Sequence, residues 1–188
     1  MENPTTGQAE QLEQFRNYLH LLARLQLGSR VQAKADASDI VQQTLVQAIR
    51  GLEEFRGKTE AEMATWLRQI LARQLANFVR DQGCRKRDLS REQSLEAALD
   101  ESASRVTAFL AGDDPSPSEK AVRNEEVLRL TQALADLPEA QREAIVLHHL
   151  EHLPLAEVSR QLGRSVAAVA GLIKRGLRQL RVRLEAST

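Results

Sequence analysis

Gly163 separates two stretches of helical periodicity within the run Leu155–Leu184. Before it, Val158 and Leu162 recur at i, i+4; after it, Val169, Leu172 or Ile173, and Leu177 share one face. A chain that turns sharply out of a helix needs positive φ, which glycine adopts at no steric cost. Small Ser159 lies where two crossing helices approach closely. The spacing predicts two helices joined by a tight turn over about 155–174. The second helix is basic: between Arg160 and Leu184 there are seven Lys or Arg and no Asp or Glu. These are the parts of a DNA-binding helix-turn-helix, whose second helix enters the major groove. A hairpin that merely closes a bundle would use the same glycine, but it would not need the basic bias.

Composition extends the helical reading to the whole chain. Aromatic residues make up only 3%, Leu, Ala, Arg, Glu and Gln are abundant, and no alternating β-branched run occurs, so an all-α protein is expected. A length of 188 residues allows one domain or two small ones. No apolar segment approaches the roughly 20 residues of a membrane span. The opening MENPTTGQAEQLEQF is polar and acidic where a secretory leader is basic and then apolar. A single Cys, Cys84, excludes an internal disulfide and fits a reducing cytoplasm. Its neighbours Arg85, Lys86 and Arg87 favour a thiolate, and a linker thiol without a role is the alternative. The 26 basic and 26 acidic residues cancel overall, while residues 123–188 carry ten basic against eight acidic. A chain that holds DNA tightly by itself is usually basic throughout, so this one is expected to rely on a larger partner.

Periodicity divides the chain. A first helix over about Gln8–Leu27 carries Leu12, Phe15, Leu19 and Leu22, with Gly28 and Ser29 as its stop. Asp36 or Ser38 is expected to cap a second helix with the stripe Val41, Leu45, Ala48, Leu52 and Phe55, broken by Gly57. Thr59 with Glu62 has capping-box spacing for a third helix that buries Met63, Trp66, Leu67, Ile70 and Phe78. These three make a first domain, residues 1–81. Residues 82–122, with Gly83, Gly112, Pro115, Pro117 and many Ser and acidic residues, read as a flexible linker holding at most a short helix at Leu95–Leu99. A second domain, 123–188, begins with Val127, Leu130, Leu134 and Leu137. Pro138 suits the first turn of a helix ending near Glu151, and Pro154 opens the helix-turn-helix.

The ordered set of segments resembles the bacterial sigma-70 family, in the small extracytoplasmic-function type that keeps only regions 2 and 4. DASDIVQQTLVQAI (Asp36–Ile49) looks like the family's polymerase-clamp helix. FRGKTEAEMATWLRQILARQLANFVR (Phe55–Arg80) looks like the part of region 2 that opens and reads the −10 element. ALADLPEAQREAIVLHHLEHLPLAEVSRQLGRSVAAVAGLIKRGLRQL is similar to region 4. The likeness covers about Gln8–Arg80 and Glu126–Leu184. It departs from the family pattern at Gln43, usually acidic, and at Arg73, often Asn. It departs again at VAGLI (Val169–Ile173), where Ala170 and Leu172 replace two basic residues, and these changes bear on which promoter is read.

The resemblance implies a sigma factor that directs core RNA polymerase to promoters and does no covalent chemistry, with no cofactor or metal. It implies core polymerase and promoter DNA as partners, duplex at −35 and melted at −10, and it leaves an anti-sigma factor open as a third. Asp39, Gln42 and Gln43 are the expected polymerase contacts; a plain solvated face is the alternative. Melted DNA needs cations beside a stacking surface or pocket. Arg56, Lys58, Arg68, Arg73 and Arg80 supply charge, Phe55 and Trp66 flat surface, and Asn77 a polar contact, with core packing the competing role for Trp66. By resemblance, the loop Gly57–Glu62 is the pocket for a flipped −10 base. On the recognition helix, Ser165, Ala167, Ala168, Ala170, Gly171 and Lys174 face the groove, and Arg164, Arg175, Arg178 and Arg181 hold phosphates. So few long polar side chains on the reading face leave much of the readout to DNA shape.

His148 and His152 stand i, i+4 with His149 between them, which raises a metal site against packing histidines. No acid/base pair, nucleophile constellation or phosphate loop marks an enzyme. Two other functions stay open from the residues alone: a stand-alone helix-turn-helix regulator, and a helical adaptor that no longer reads DNA.

Overall fold

The computed structural model describes residues 11–28, 31–81, 89–111 and 120–186, and among them every regular element is helical. Eight helices follow in order: α1 (Arg16–Leu27), α2 (Val31–Gly51), α3 (Glu60–Asp81), α4 (Leu89–Ala111), α5 (Lys120–Ala135), α6 (Glu139–Ile145), α7 (Leu155–Leu162) and α8 (Val166–Ala186). A 3₁₀ turn, Leu52–Glu54, follows α2, and a π-helical turn, Val146–Leu150, extends α6.

The apolar stripes read from the sequence become the core. Leu12, Phe15, Leu19 and Leu22 are buried against Val41, Leu45 and Ala48 of α2 and Leu67, Leu71 and Leu75 of α3. Fully burying each such leucine is worth about 1.5–3 kcal/mol. Gly28 ends α1 at φ 78°, its N–H on the Arg24 carbonyl. The capping box of α3 forms reciprocally: the Glu62 N–H donates to Thr59 Oγ1 at 3.2 Å, and the Thr59 N–H donates to Glu62 Oε2 at 3.0 Å.

Helix α2 departs from expectation at both ends. It begins at Val31, so Asp36 and Ser38 lie inside it and cap nothing. Residues 31–35, VQAKA, hold no breaker and several good helix formers, so the helix runs through. It ends at Gly51 rather than Gly57; Leu52 sits in the 3₁₀ turn and Phe55 is extended. Gly57 has a different task. A Cβ there would lie 2.2 Å from the Phe55 ring and 2.9 Å from Glu62 Cβ, so only glycine lets the loop close on itself.

The stretch read as linker is the larger correction. Residues 89–111 form α4, a 23-residue helix, rather than a short turn at Leu95–Leu99. Leu99, Ser102 and Val106 are fully buried, with Leu95, Phe109 and Leu110 packed beside them. Cys84 and the Pro-Ser pairs around 115–118 fall outside the described residues. Helix α5 begins at Lys120, three residues before the expected domain start, and buries Val127, Leu130 and Leu134.

The two sets of helices are packed on each other. One apolar core runs from Leu12 and Leu71 through Leu99 and Val106 to Leu134, Ile145 and Leu180. Polar contacts cross the same seam. Arg24 of α1 pairs with Glu143 of α6 at 2.9 Å, and Arg105 of α4 donates to the Leu150 carbonyl at 2.9 Å. A second, smaller cluster joins Ala144, Leu147, Val158, Val169, Leu172 and Ile173 and builds the helix-turn-helix.

Candidate nucleic-acid and polymerase interface

The helix-turn-helix has the expected geometry. Gly163 adopts φ 61°, ψ 33°, and its N–H and that of Arg164 return to the carbonyls of Arg160 and Ser159. The Ser159 hydroxyl donates to the Arg164 carbonyl, which pins the turn. A close helix approach in this unit falls elsewhere, at Gly176, which the sequence reading missed. A Cβ there would stand 2.6 Å from Ile145 Cδ1 and 3.3 Å from Gln141 Cβ, so the glycine lets α8 cross α6. Val169, Leu172 and Ile173 face inward. The opposite face is exposed and carries Arg164, Ser165, Ala167, Ala168, Ala170, Lys174, Arg175, Arg178 and Arg181, with Gly171 half-buried among them. Ser165 also caps α8, its Oγ accepting from the Ala168 N–H at 3.2 Å, which leaves its hydroxyl hydrogen and one lone pair for a base. At Gly171 a Cβ would meet Arg175 Nη1 at 3.2 Å: the guanidinium lies back over the glycine, onto the face assigned to base reading.

On α3 and its loop, the residues expected at melted DNA divide. Arg56, Lys58, Arg73 and Arg80 are exposed. Arg56 donates to the Glu53 carbonyl at 2.7 Å, and Arg80 to Asn77 Oδ1 at 2.9 Å. Trp66 is half-buried, its ring 5.0 Å from Phe55 and against Gly51, so its two competing roles share one side chain. Arg68 is not available as expected. It donates to Asp100 of α4 at 2.7 Å and to the Tyr18 hydroxyl at 3.0 Å, a partnership that could not be anticipated while α4 went unread. In the loop, Glu62 draws N–H groups from Lys58 and Thr59, and these bonds hold its carboxyl below the usual range.

Asp39, Gln42 and Gln43 project together from α2 into solvent. Val46 and Ile49 continue that stripe one and two turns on, 37% and 42% exposed; among the described residues Val166 and Val182 of α8 are the other exposed large apolar side chains. The Gln42 side chain accepts from Arg16 at 3.3 Å.

The histidines are positioned by the π turn. His148 Nδ1 lies 2.8 Å from the Leu153 carbonyl, His149 packs on Phe109 with centroids 5.4 Å apart, and His152 closes the turn at φ 55°. Burial first, then the two other histidines, pushes the His149 imidazole below its ordinary range. Among the described residues no three His, Cys, Asp or Glu converge as metal ligands, and no helix is long and apolar enough to cross a membrane.

Comparison with known proteins falls on the same residues. The description "Sigma-70 region 2" matches residues 13–84, and "Sigma-70, region 4" matches 128–180. The chain is 30% identical over 159 residues to the ECF RNA polymerase sigma-E factor of Escherichia coli, covering 84% of this chain and 78% of that protein. It is 31% identical over 155 residues to the ECF RNA polymerase sigma factor SigG of Mycobacterium tuberculosis. That match takes in 77% of this chain and only 41% of the mycobacterial protein. Among solved structures, the sigma factor RpoE bound to the anti-sigma factor NepR from Bartonella quintana covers 95% of this chain at 20% identity, with a TM-score of 0.36.

Proposed function

This chain belongs to the sigma-70 family, in its extracytoplasmic-function type, and from that membership we propose that it is a promoter-specificity subunit of RNA polymerase. It would act by binding alone, bringing core polymerase to promoter DNA in the cytoplasm. The observation that carries this reading is the exposed face of α8, where Arg164, Lys174, Arg175, Arg178 and Arg181 stand without an opposing carboxylate between Arg160 and Leu184. In a chain of zero net charge, a cationic face confined to one helix favours weak DNA binding alone and strong binding with help.

In this reading the face of α8 meets the −35 duplex. Exposed Arg56, Lys58, Arg73 and Arg80, with the Phe55–Trp66 pair and Asn77, meet melted −10 DNA. The stripe Asp39, Gln42, Gln43, Val46 and Ile49 on α2 meets polymerase, its two exposed apolar side chains forming the dry centre that such an interface needs. An anti-sigma factor is a further proposed partner, for which any surface shared with polymerase would serve.

Reconstitution tests this. The chain mixed with core polymerase should co-elute with it and initiate from promoters that core alone ignores. Tight, sequence-specific binding to duplex DNA by the free chain, with no polymerase complex, would show a stand-alone regulator instead. Co-elution without promoter-dependent transcription would show an adaptor.

A further inference from the structure

We propose that the cleft where α1 and α2 meet α5 and α6 is a phosphate-binding site, in which Arg16, Arg24 and Arg142 hold a phosphoryl group, free or carried on a small monoester. These three guanidiniums line a cavity of about 210 Å³ together with His20, Asn17 and Ser38, and among the described residues no carboxylate lines it. A cleft of this size has room for a phosphate and a small carrier. The wall carries more positive charge than its surroundings neutralise. Glu13 pairs with Arg16 and Glu143 with Arg24, both from outside the lining. Arg142 has no carboxylate partner among the described residues; its Nη1 donates to the Ala135 carbonyl at 2.8 Å. Planar guanidiniums with several donors, next to a hydroxyl, suit a tetrahedral oxyanion.

The fourth nitrogen donor is conditional. The His20 imidazole is held below its ordinary range, first by burial and then by Arg24, Arg142 and Arg16. Among the described residues the charges that act on it are cationic: Arg24 and Arg16 from its own helix and Arg142 from α6, while Ser38 of α2 lies 3.4 Å from its Nε2. A bound dianion reverses that repulsion, so His20 takes up a proton as the ligand enters. Entry of the dianion is therefore coupled to proton uptake by His20, while protonation of phosphate itself at lower pH works against binding.

The ligand would touch both halves of the molecule at once. Arg16, His20, Arg24 and Ser38 belong to the segment matching region 2, and Arg142 to the segment matching region 4. Binding holds the halves packed. Its meaning for transcription rests on the function proposed above; the binding itself does not.

Calorimetry on the full chain tests the site, using inorganic phosphate and glycerol phosphate in chloride buffers of matched ionic strength. One saturable site per chain is expected, with proton uptake at pH about 8, where phosphate is already the dianion, read from the dependence of the heat on the buffer; His20→Gln should abolish that uptake. Arg142→Gln should weaken it by roughly tenfold or more with an unchanged circular dichroism spectrum. Arg16→Gln, at the more exposed rim, should weaken it less, and it keeps the test open if Arg142→Gln does not fold. Tighter binding of the monoester assigns a phosphorylated metabolite, and equal binding assigns the free ion. Absence of saturable heat with either, heat that survives both substitutions, or the same heat from added chloride overturns the proposal. None of these readouts involves polymerase, so the sigma-factor reading stands or falls separately.

Discussion

Arg24 and Glu143 meet across the seam between the two halves, one guanidinium nitrogen 2.9 Å from both carboxylate oxygens, with side chains 7% and 9% exposed. Both side chains are largely withdrawn from bulk solvent, Arg24 meeting only the cleft. Removing Glu143 leaves the Arg24 guanidinium without the carboxylate that offsets its burial, whereas replacing both with apolar side chains removes the problem. Glu143→Ala should cost the packed form about 3–5 kcal/mol, while Arg24→Met with Glu143→Leu should be near neutral. Urea titration, with the hydrodynamic radius followed in parallel, separates opening of the seam from global unfolding. A double variant as unstable as the single one would contradict this.

The same pair governs reach. Elements named −10 and −35 lie 25 base pairs apart, about 85 Å along straight B-DNA at 3.4 Å per pair. A packed chain of 188 residues has a radius of gyration of about 16 Å. If the two halves read the two elements as proposed, the packed form cannot reach both, and promoter engagement then requires the seam to open. A mild weakening of the pair, Glu143→Gln, should raise open-complex formation at limiting polymerase, measured by permanganate footprinting. Lower activity in a variant that remains folded would argue that the packed form is the active one.

Two glycines of α8 should respond in opposite directions. At Gly171 an added methyl meets only the movable end of Arg175, so Gly171→Ala should gain about 0.5–1 kcal/mol of helix stability. It should also displace Arg175 and alter −35 preference. At Gly176 the added Cβ runs into Ile145, itself fully buried, so Gly176→Val should lose about 1–3 kcal/mol. Thermal melts of both variants decide the matter, and a destabilised Gly171→Ala would mean that Arg175 is held in place.

On the reading face, Ala170→Glu sets a carboxylate against the groove floor and should abolish −35-dependent transcription while polymerase still binds. Arg178→Ala should weaken DNA binding about equally on all sequences and lower the salt slope by roughly one. A changed sequence preference in Arg178→Ala would place base reading in the C-terminal part of α8.

The α3 capping box should show in acid. N–H bonds from Lys58 and Thr59 depress the Glu62 carboxyl in the folded state. A depressed carboxyl stabilises the fold above its unfolded pKa, and that contribution is lost as pH falls through the folded value. Glu62→Gln should therefore lower stability at neutral pH and flatten the acid limb of the melting profile. An unchanged limb would mean that this loop contributes nothing to acid stability.

What the sequence revealed and what it concealed share one cause. The stripes of α1, α2 and α3 and the Gly163 turn were legible because most buried positions there are apolar, buried Arg24 and Thr44 being exceptions, although the ends of α2 were misplaced. Helix α4 has equally regular spacing in Leu95, Leu99, Ser102, Val106 and Phe109, but its central buried residue is a serine. Ser102 is tolerable there only because Gln26 of α1 and Arg105 both donate to its hydroxyl at 2.9 Å. Those partners lie 76 residues away in one case and on the unread helix itself in the other. Arg68 went astray for the same reason, since its partner Asp100 sits on α4. Gly176 gave no warning either: a glycine inside a helix looks like a cost until the neighbour it admits is known.

Helix α4 also changes the character of the connection between the two DNA-facing units. A structureless tether sets only an upper limit on separation and makes intermediate distances the commonest. Twenty-three residues of helix instead form a strut of about 35 Å at 1.5 Å per residue. If that strut persists when the seam opens, it fixes much of the separation between the two units. Promoter spacing then becomes a matter of fit to a ruler, and adding or removing a base pair between the elements should be tolerated far less than a loose tether would allow.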